Sequence, residues 1–452
     1  MLSRMTRRRF LTRSALTAGT VAGAGAFLDA CNTSSSAAGS SGGGKTTLTV
    51  MYNNNELTPA YITEFEKLNP DITIKFIEYD ATRLNAMLAA GTPPDFVRGA
   101  AVGSAQNNAR GLALALDSYL EKSKVLHKDD LLPINDSWRW DGKVSGQGPY
   151  YGISKDWSLD ATLWYNEDLF KQAGLSPLSS TEPITYDQLL TIGKKLTATQ
   201  GGKIKVYGLG VEWDWGVPGQ VLSMIKQQGA SLYTNANYSE VDFSQPAAKN
   251  ALQWYVEFMN AGIGPSSLNP IADGQDAPSF LANRMAVTQD GYWFGGNVFT
   301  ATSALKAASR LAPAPQMGPQ RFSPSFAGIG AWIPAASKHK EEAWRLMEYF
   351  MTGTPAHDRA KSGWGIPSLK SFMSQMPQDL PYQQEAYAST QNELKYNGIL
   401  PDSPYINIGN YDTILKKYLL QVVKKQITLD VACQQATTDA NKLLAQGKAQ
   451  IG

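Results

Sequence analysis

Cysteine and histidine are nearly missing from this chain. There are two cysteines, Cys31 and Cys433, and three histidines, His127, His339 and His357, far apart and without short metal-ligand spacing. A zinc site and a disulfide framework are therefore not expected, and neither is any metal or cofactor. An excess of one charge is also missing. Lysine and arginine number 41 against 39 acids, and five of the arginines (Arg4, Arg7, Arg8, Arg9, Arg13) sit in residues 1–30 beside a single acid, Asp29. The remainder is slightly negative, which offers no basic field for nucleic acid. The apolar run Ser14 to Leu28 is too short to span a bilayer stably. There is no internal repeat, no Gly-x-Ser-x-Gly elbow, no His-Glu-x-x-His and no phosphate loop, and Gly208-Leu209-Gly210 lacks the third glycine of a dinucleotide fingerprint.

What is present is enough apolar material, 43% of 452 residues, for about two to three ordinary domains. The amino terminus reads as an address. Thr6-Arg7-Arg8-Arg9-Phe10-Leu11-Thr12 resembles a twin-arginine export motif, the apolar run follows it, and Leu28-Asp29-Ala30-Cys31 resembles a lipobox, with Asp29 an unusual residue there. Residues 1–30 are thus expected to be a signal peptide and Cys31 to carry a lipid. Residues 31–44, almost all Asn, Thr, Ser, Ala and Gly, form a flexible tether. That makes the protein extracellular and anchored to the outer face of the cell membrane. Cys433 remains a free thiol in a packed helix.

From Lys45 onward, short β-branched strands alternate with helices. Thr46–Tyr52 and Ile72–Tyr79 read as strands, Thr58–Leu68 and Thr82–Ala90 as helices, and Pro93-Pro94-Asp95 launches Phe96-Val97. The alternation continues with a strand in 152–164, a helix over 167–173, a helix over 185–196 capped by Thr185 and Asp187, and a strand over 206–211. Helices at 247–260 and 341–351 are amphipathic, and the last ninety residues are mainly helical. This is an α/β pattern with parallel sheets, in which ligands sit beyond the carboxyl ends of strands.

Four stretches then carry a resemblance to extracellular solute-binding proteins of the maltose-binding type. They are Gly91-Thr92-Pro93-Pro94-Asp95-Phe96; Tyr151-Gly152-Ile153 through Trp164-Tyr165-Asn166-Glu167-Asp168-Leu169-Phe170; Phe280 to Val287 with Gly291-Tyr292-Trp293; and Gly328 to Pro334 followed by Gly363-Trp364-Gly365-Ile366-Pro367. The resemblance implies a two-lobed fold with three crossings, near 152–162, 284–292 and 326–334. One lobe would be 45–159 plus 289–330 and the other 160–288 plus 331–452. It further implies a monomer that captures a carbohydrate by lobe closure and delivers it to the permease subunits of an ABC transporter, without catalysis.

A sugar pocket needs hydroxyl partners and flat aromatic faces. Eleven tryptophans are available, and Trp213, Trp215, Trp293 and Trp364 fall in loops after strands, although each could equally be a packing residue. Asn53, Asn54, Asn55 and Glu56 follow the first strand, where the resemblance also puts sugar ligands; turn chemistry is the competing explanation. Asp156 and Asp160 on the first crossing, and Asp214 between two tryptophans, are carboxylate candidates. Gly330, with Gly328, would let backbone approach a ligand. Two other readings stay open: the same fold holding a polyamine or an anion, and a secreted glycosidase working with two carboxylates.

Overall fold

Residues that cap and punctuate lay down the first half of the chain. Alternating apolar residues make β1 (Thr46–Tyr52). Thr58 caps α1 (Pro59–Leu68), its side chain accepting from the Tyr61 N–H, and β2 (Ile72–Glu78) follows. Asp80 does the same for α2 (Ala81–Ala89) through Arg83, before β3 (Phe96–Ala100). The computed structural model describes residues 44–271 and 276–451. The expected signal peptide, Cys31 and nearly all of the tether lie outside the described residues.

The chain continues through β4 (Ile153–Ser154), β5 (Asp156–Trp157) and β6 (Leu163–Asn166). A reciprocal Thr185–Gln188 capping box starts α3 (Tyr186–Leu196). Helices α4 (Val217–Gln227) and α5 (Pro246–Ala261) each carry proline in the first turn. Strands β7 (Val287–Gln289), β8 (Ser309–Ala312) and β9 (Ile329–Trp332) come next. The rest is α6 (Lys340–Thr352), α7 (Thr354–Ser362), the short β10 (Ile366–Pro367), α8 (Pro381–Glu393), α9 (Ile408–Val423) and α10 (Leu429–Ile451). Among the described residues no helix is long and apolar enough to cross a membrane.

One sheet has the order β2–β1–β3–β9–β4, with β1 parallel to β2 and β3, and β9 antiparallel to β3 and β4. The second places β6 between β7 and β8, all antiparallel. Parallel sheets were expected throughout. In the second lobe, among the described residues, parallel pairing survives as the isolated bridges Thr185↔Gln316, Tyr207↔Met285 and Gly210↔Thr288, the last two where a continuous strand over 206–211 was predicted.

Helices α6 and α7 cover the first sheet, packing Trp344, Met347 and Phe350 against Leu48, Val50 and Tyr52. The Tyr52 and Phe350 rings meet edge to face at 5.1 Å. Helices α3, α4, α5, α9 and α10 build the second core around Leu189, Val221, Tyr255, Leu415 and Ala436. A third cluster joins Trp157 and Ile366 to Trp164, Phe294 and Tyr382.

This packing corrects the expected lobe division. Ala331, Ile333, Leu346, Met347, Phe350, Ala360 and Phe372 belong to the first core, and Ala312, Ala314 and Phe326 to the second. The cause is β9, whose pairing with β3 delivers α6 onto the first sheet. The stretch 284–292, expected to cross, stays in the second lobe because Val287–Gln289 is an edge strand beside β6. The chain instead passes between sheets over 154–163 and 312–329, and leaves the first core again after Phe372.

Candidate functional site

Three tryptophans from distant stretches come together: Trp215 just before α4, Trp293 after β7 and Trp364 after α7. Ring centroids are 6.5 Å apart for Trp215–Trp293 and 5.8 Å for Trp293–Trp364, both pairs tilted. Trp215 is 38% exposed and Trp364 43%. The other eight tryptophans are buried, so a row of indoles left open marks a binding surface. Each indole is held. Trp215 donates its Nε1–H to Glu212 Oε2 at 3.1 Å, and the Trp293 backbone N–H donates to Ser158 Oγ at 3.2 Å. Trp364 lies over Gly296, where a Cβ would fall 2.3 Å from the ring.

A charge network shares this cleft. Arg98 on β3 donates twice to Glu56, Nε to Oε2 at 2.8 Å and Nη2 to Oε1 at 3.0 Å. Lys155, with a side chain 2% exposed, pairs with Asp156 at 2.5 Å and lies 3.9 Å from Glu56. Burial pushes the Glu56 carboxyl up, but Lys155 and Arg98 outweigh it and hold the group below the usual carboxylate range. Two acids therefore face two bases, and the buried Arg359 guanidinium acts on both acids as well. Asp160 Oδ2 accepts from the Phe326 N–H at 2.6 Å and from Ser325 Oγ at 3.0 Å, fastening one lobe-to-lobe passage to the next. Burial pushes this carboxyl up to about 7 in spite of those bonds.

With Trp157, Ser158 and Gly328 these groups enclose about 410 Å³, inside the roughly 300–1,000 Å³ range of small-molecule sites. A second cavity of about 430 Å³ lies between α3 and α5. Its one indole, Trp254, is buried and donates to the Tyr186 carbonyl, so that cavity presents polar side chains without an open aromatic face.

Of the residues proposed from sequence, Glu56, Asp156, Asp160, Trp215, Trp293 and Trp364 line the cleft. The structure does not bring the others to it. Asn53, Asn54 and Asn55 form the turn after β1, the Asn53 carbonyl accepting from Glu56 and Leu57. Trp213 is 6% exposed, edge-on to Tyr255 and bonded through Nε1 to Ser267 Oγ. Asp214 is exposed, its carbonyl accepting from Lys416. Gly330 serves strand pairing, since a Cβ there would lie 1.9 Å from the Ile153 carbonyl oxygen. Sequence reasoning missed Arg98 and Lys155. The visible signal was a lone cation in the apolar strand Phe96-Val97-Arg98, and a Lys-Asp pair on the first passage.

Two lobes with an aromatic and charged cleft supplied by both define a ligand-capturing binding protein. The model of the family described as bacterial extracellular solute-binding protein matches residues 53–352, and the chain belongs to that family. An uncharacterized ABC transporter extracellular-binding protein of Pyrococcus horikoshii is 23% identical over 45% of this chain and 45% of its own length, so the chain matches less than half of that relative. The diacetylchitobiose binding protein of Streptomyces coelicolor is 21% identical over 80% of each chain. An ABC substrate-binding protein of Listeria monocytogenes, solved in complex with cycloalternan, superposes with a TM-score of 0.73 at 21% identity, covering 88% of this chain and 98% of that one. At that identity the likeness is one of fold.

Proposed function

We propose that this protein is the substrate-binding component of an ABC importer and holds a neutral carbohydrate, a mono- or oligosaccharide, beneath Trp215, Trp293 and Trp364. The observation that carries the reading is the row of three indoles beside a charge-paired network. Sugar C–H faces stack on such rings, and the Glu56–Arg98 and Lys155–Asp156 pairs supply acceptors and donors for hydroxyls at fixed positions. Because Glu56, Asp156, Arg98 and Lys155 are matched with one another, none of these four is an unpaired charge for a polyamine or an anion. Two of the relatives compared above are named with saccharides, which supports the same class. A ligand touching both lobes stabilises the closed state by its differential affinity, and that state is the one a permease would receive. No catalytic step is part of the reading: Asp160, the cleft carboxyl that burial pushes up to about 7, is tied to the backbone of a lobe passage.

The amino-terminal segment completes the proposal. Residues 1–30 direct export, Cys31 carries the lipid, the tether spaces a monomeric body from the membrane, and permease subunits are the protein partners. Thermal unfolding with mono- and oligosaccharides, against polyamines and phosphate, tests the ligand. A rise in Tm with one sugar family and no product on incubation supports a sugar receptor; a rise with polyamines or phosphate alone overturns it. Cys31→Ala tests the anchor by moving the protein from the membrane fraction to the medium.

A further inference from the structure

Behind the tryptophan row three carboxylates converge. Glu212 precedes α4, Asp276 opens the short helix Ala277–Leu281, and Asp290 follows β7. They are 2%, 1% and 0% exposed, and one oxygen from each lies within 4.8 Å of the others. Glu212 and Asp276 exchange backbone bonds, Glu212 N–H to Asp276 Oδ2 at 3.0 Å and Asp276 N–H to Glu212 Oε1 at 3.1 Å. Thr288 Oγ1 stands between Asp276 Oδ2, at 3.2 Å, and Asp290 Oδ2, with one proton for two acceptors. Among the described residues no lysine, arginine or histidine bonds to the three acids. The groups acting on them electrostatically are one another and Asp214. Among the described residues no N–H or O–H group donates to the fully buried Asp290 Oδ1, and the Asp290 and Glu212 carboxyls lie close enough to hydrogen-bond to one another if they share a proton.

A buried carboxylate oxygen with no donor, in a cluster with no cation, lacks the one thing that makes buried charge tolerable. We infer that Glu212, Asp276 and Asp290 bind a hard divalent cation of the calcium class, with Thr288 as a supporting oxygen. The donors are all oxygens, the preference of calcium and magnesium rather than of zinc or copper. Calcium–oxygen bonds of about 2.3–2.6 Å set ligands across the ion about 4.6–5.2 Å apart, which accommodates the observed spacing. Gly210 makes room for the cluster, since a Cβ there would fall 2.1 Å from Asp276 Oδ2. The site is wired to the cleft, because Glu212 Oε2 is the acceptor for Trp215 Nε1. An ion that fixes Glu212 therefore fixes one wall of the pocket.

The test uses metal-stripped protein without sugar, so its failure is separate from failure of the carbohydrate reading. CaCl2 is titrated while Tm is followed, and in parallel TbCl3 is titrated with emission excited through tryptophan. At about 100-fold excess over Kd, Tm should rise by about 3 °C, and one terbium per chain should emit, with emission reduced in Trp215→Phe. Asp290→Asn should abolish both responses while its metal-free Tm stays equal or rises, since it removes one of three mutually repelling charges. No response of the wild-type protein to calcium, magnesium or manganese overturns the inference and leaves shared protons to hold the triad; so does a response that persists in Asp290→Asn. Should Asp290→Asn fail to fold, the wild-type and Trp215→Phe terbium titrations decide alone.

Discussion

Trp364→Ala separates ligand contact from packing more cleanly than any other change in the cleft. The side chain is 43% exposed, its indole N–H bonds to none of the described residues, and its ring rests on a glycine. Taking about 250 Å² for a tryptophan side chain, some 110 Å² of apolar surface is open to a ligand. At about 25 cal/mol per Å², covering all of it is worth about 2.7 kcal/mol, and covering one face about 1.4 kcal/mol. The Kd of the sugar found by thermal screening should therefore weaken about 10- to 100-fold by isothermal titration calorimetry. The Tm of the free protein should hardly move. Phe299→Ala is the matched control, because Phe299 is 53% exposed and lies outside the cleft. An unchanged Kd in Trp364→Ala, with the free protein equally stable, would refute the assignment of the tryptophan row as the sugar-facing wall.

Three further outcomes are expected. Lys155→Met leaves Asp156 buried without its partner and should destabilise the protein by about 3–5 kcal/mol, read from urea unfolding; a loss under 1 kcal/mol would mean the pair is solvated. Asp160 and Asp402 are pushed up to about 7 by burial, whereas unfolded aspartates titrate near 3.9. Between those values the folded state holds protons that the unfolded chain has released, so the contribution is full below about pH 4 and is lost as pH rises through 7. Tm should accordingly be higher at pH 5.5 than at pH 8, and Asp402→Asn, which keeps an acceptor for the Gly103 and Ala105 N–H groups, should flatten the profile. Cys433 is 1% exposed and burial pushes its thiol up to about 11, so iodoacetamide followed by peptide mapping should modify it only after unfolding.

Local order was legible in the sequence wherever a residue acts on its own neighbours. The expected strand Thr46–Tyr52 is β1, Thr185 caps α3 as anticipated, and the helices read at 247–260 and 341–351 end within a residue of α5 and α6. Periodicity and capping are properties of a short window, so a short window reveals them. The strand expected within 152–164 breaks into β4, β5 and β6, because Ser154 pairs with β9, Asp156 with β10 and Leu163 with β7 and β8. Those partners are chosen by chain far downstream. The same limit explains the site. Trp215, Trp293 and Trp364 could be proposed as loop aromatics, but which of four candidates reached the cleft depended on packing: Trp213 found Tyr255 and Ser267 instead. Lys155 acquires its meaning from Glu56, and Glu212 from Asp276 and Asp290, contacts between segments that nothing in a local pattern joins.

The hydrogen bond from Trp215 to Glu212 sets an evolutionary asymmetry among the three indoles. Trp364 can be exchanged for another ring, or for none, at little expense to the fold, so a lineage can retune ligand preference there freely. Trp215 cannot drift in the same way, because its loss also strips a donor from a buried acid. Divergence in what the cleft accepts should therefore begin at the α7 rim, and a change at position 215 should arrive together with a change at position 212.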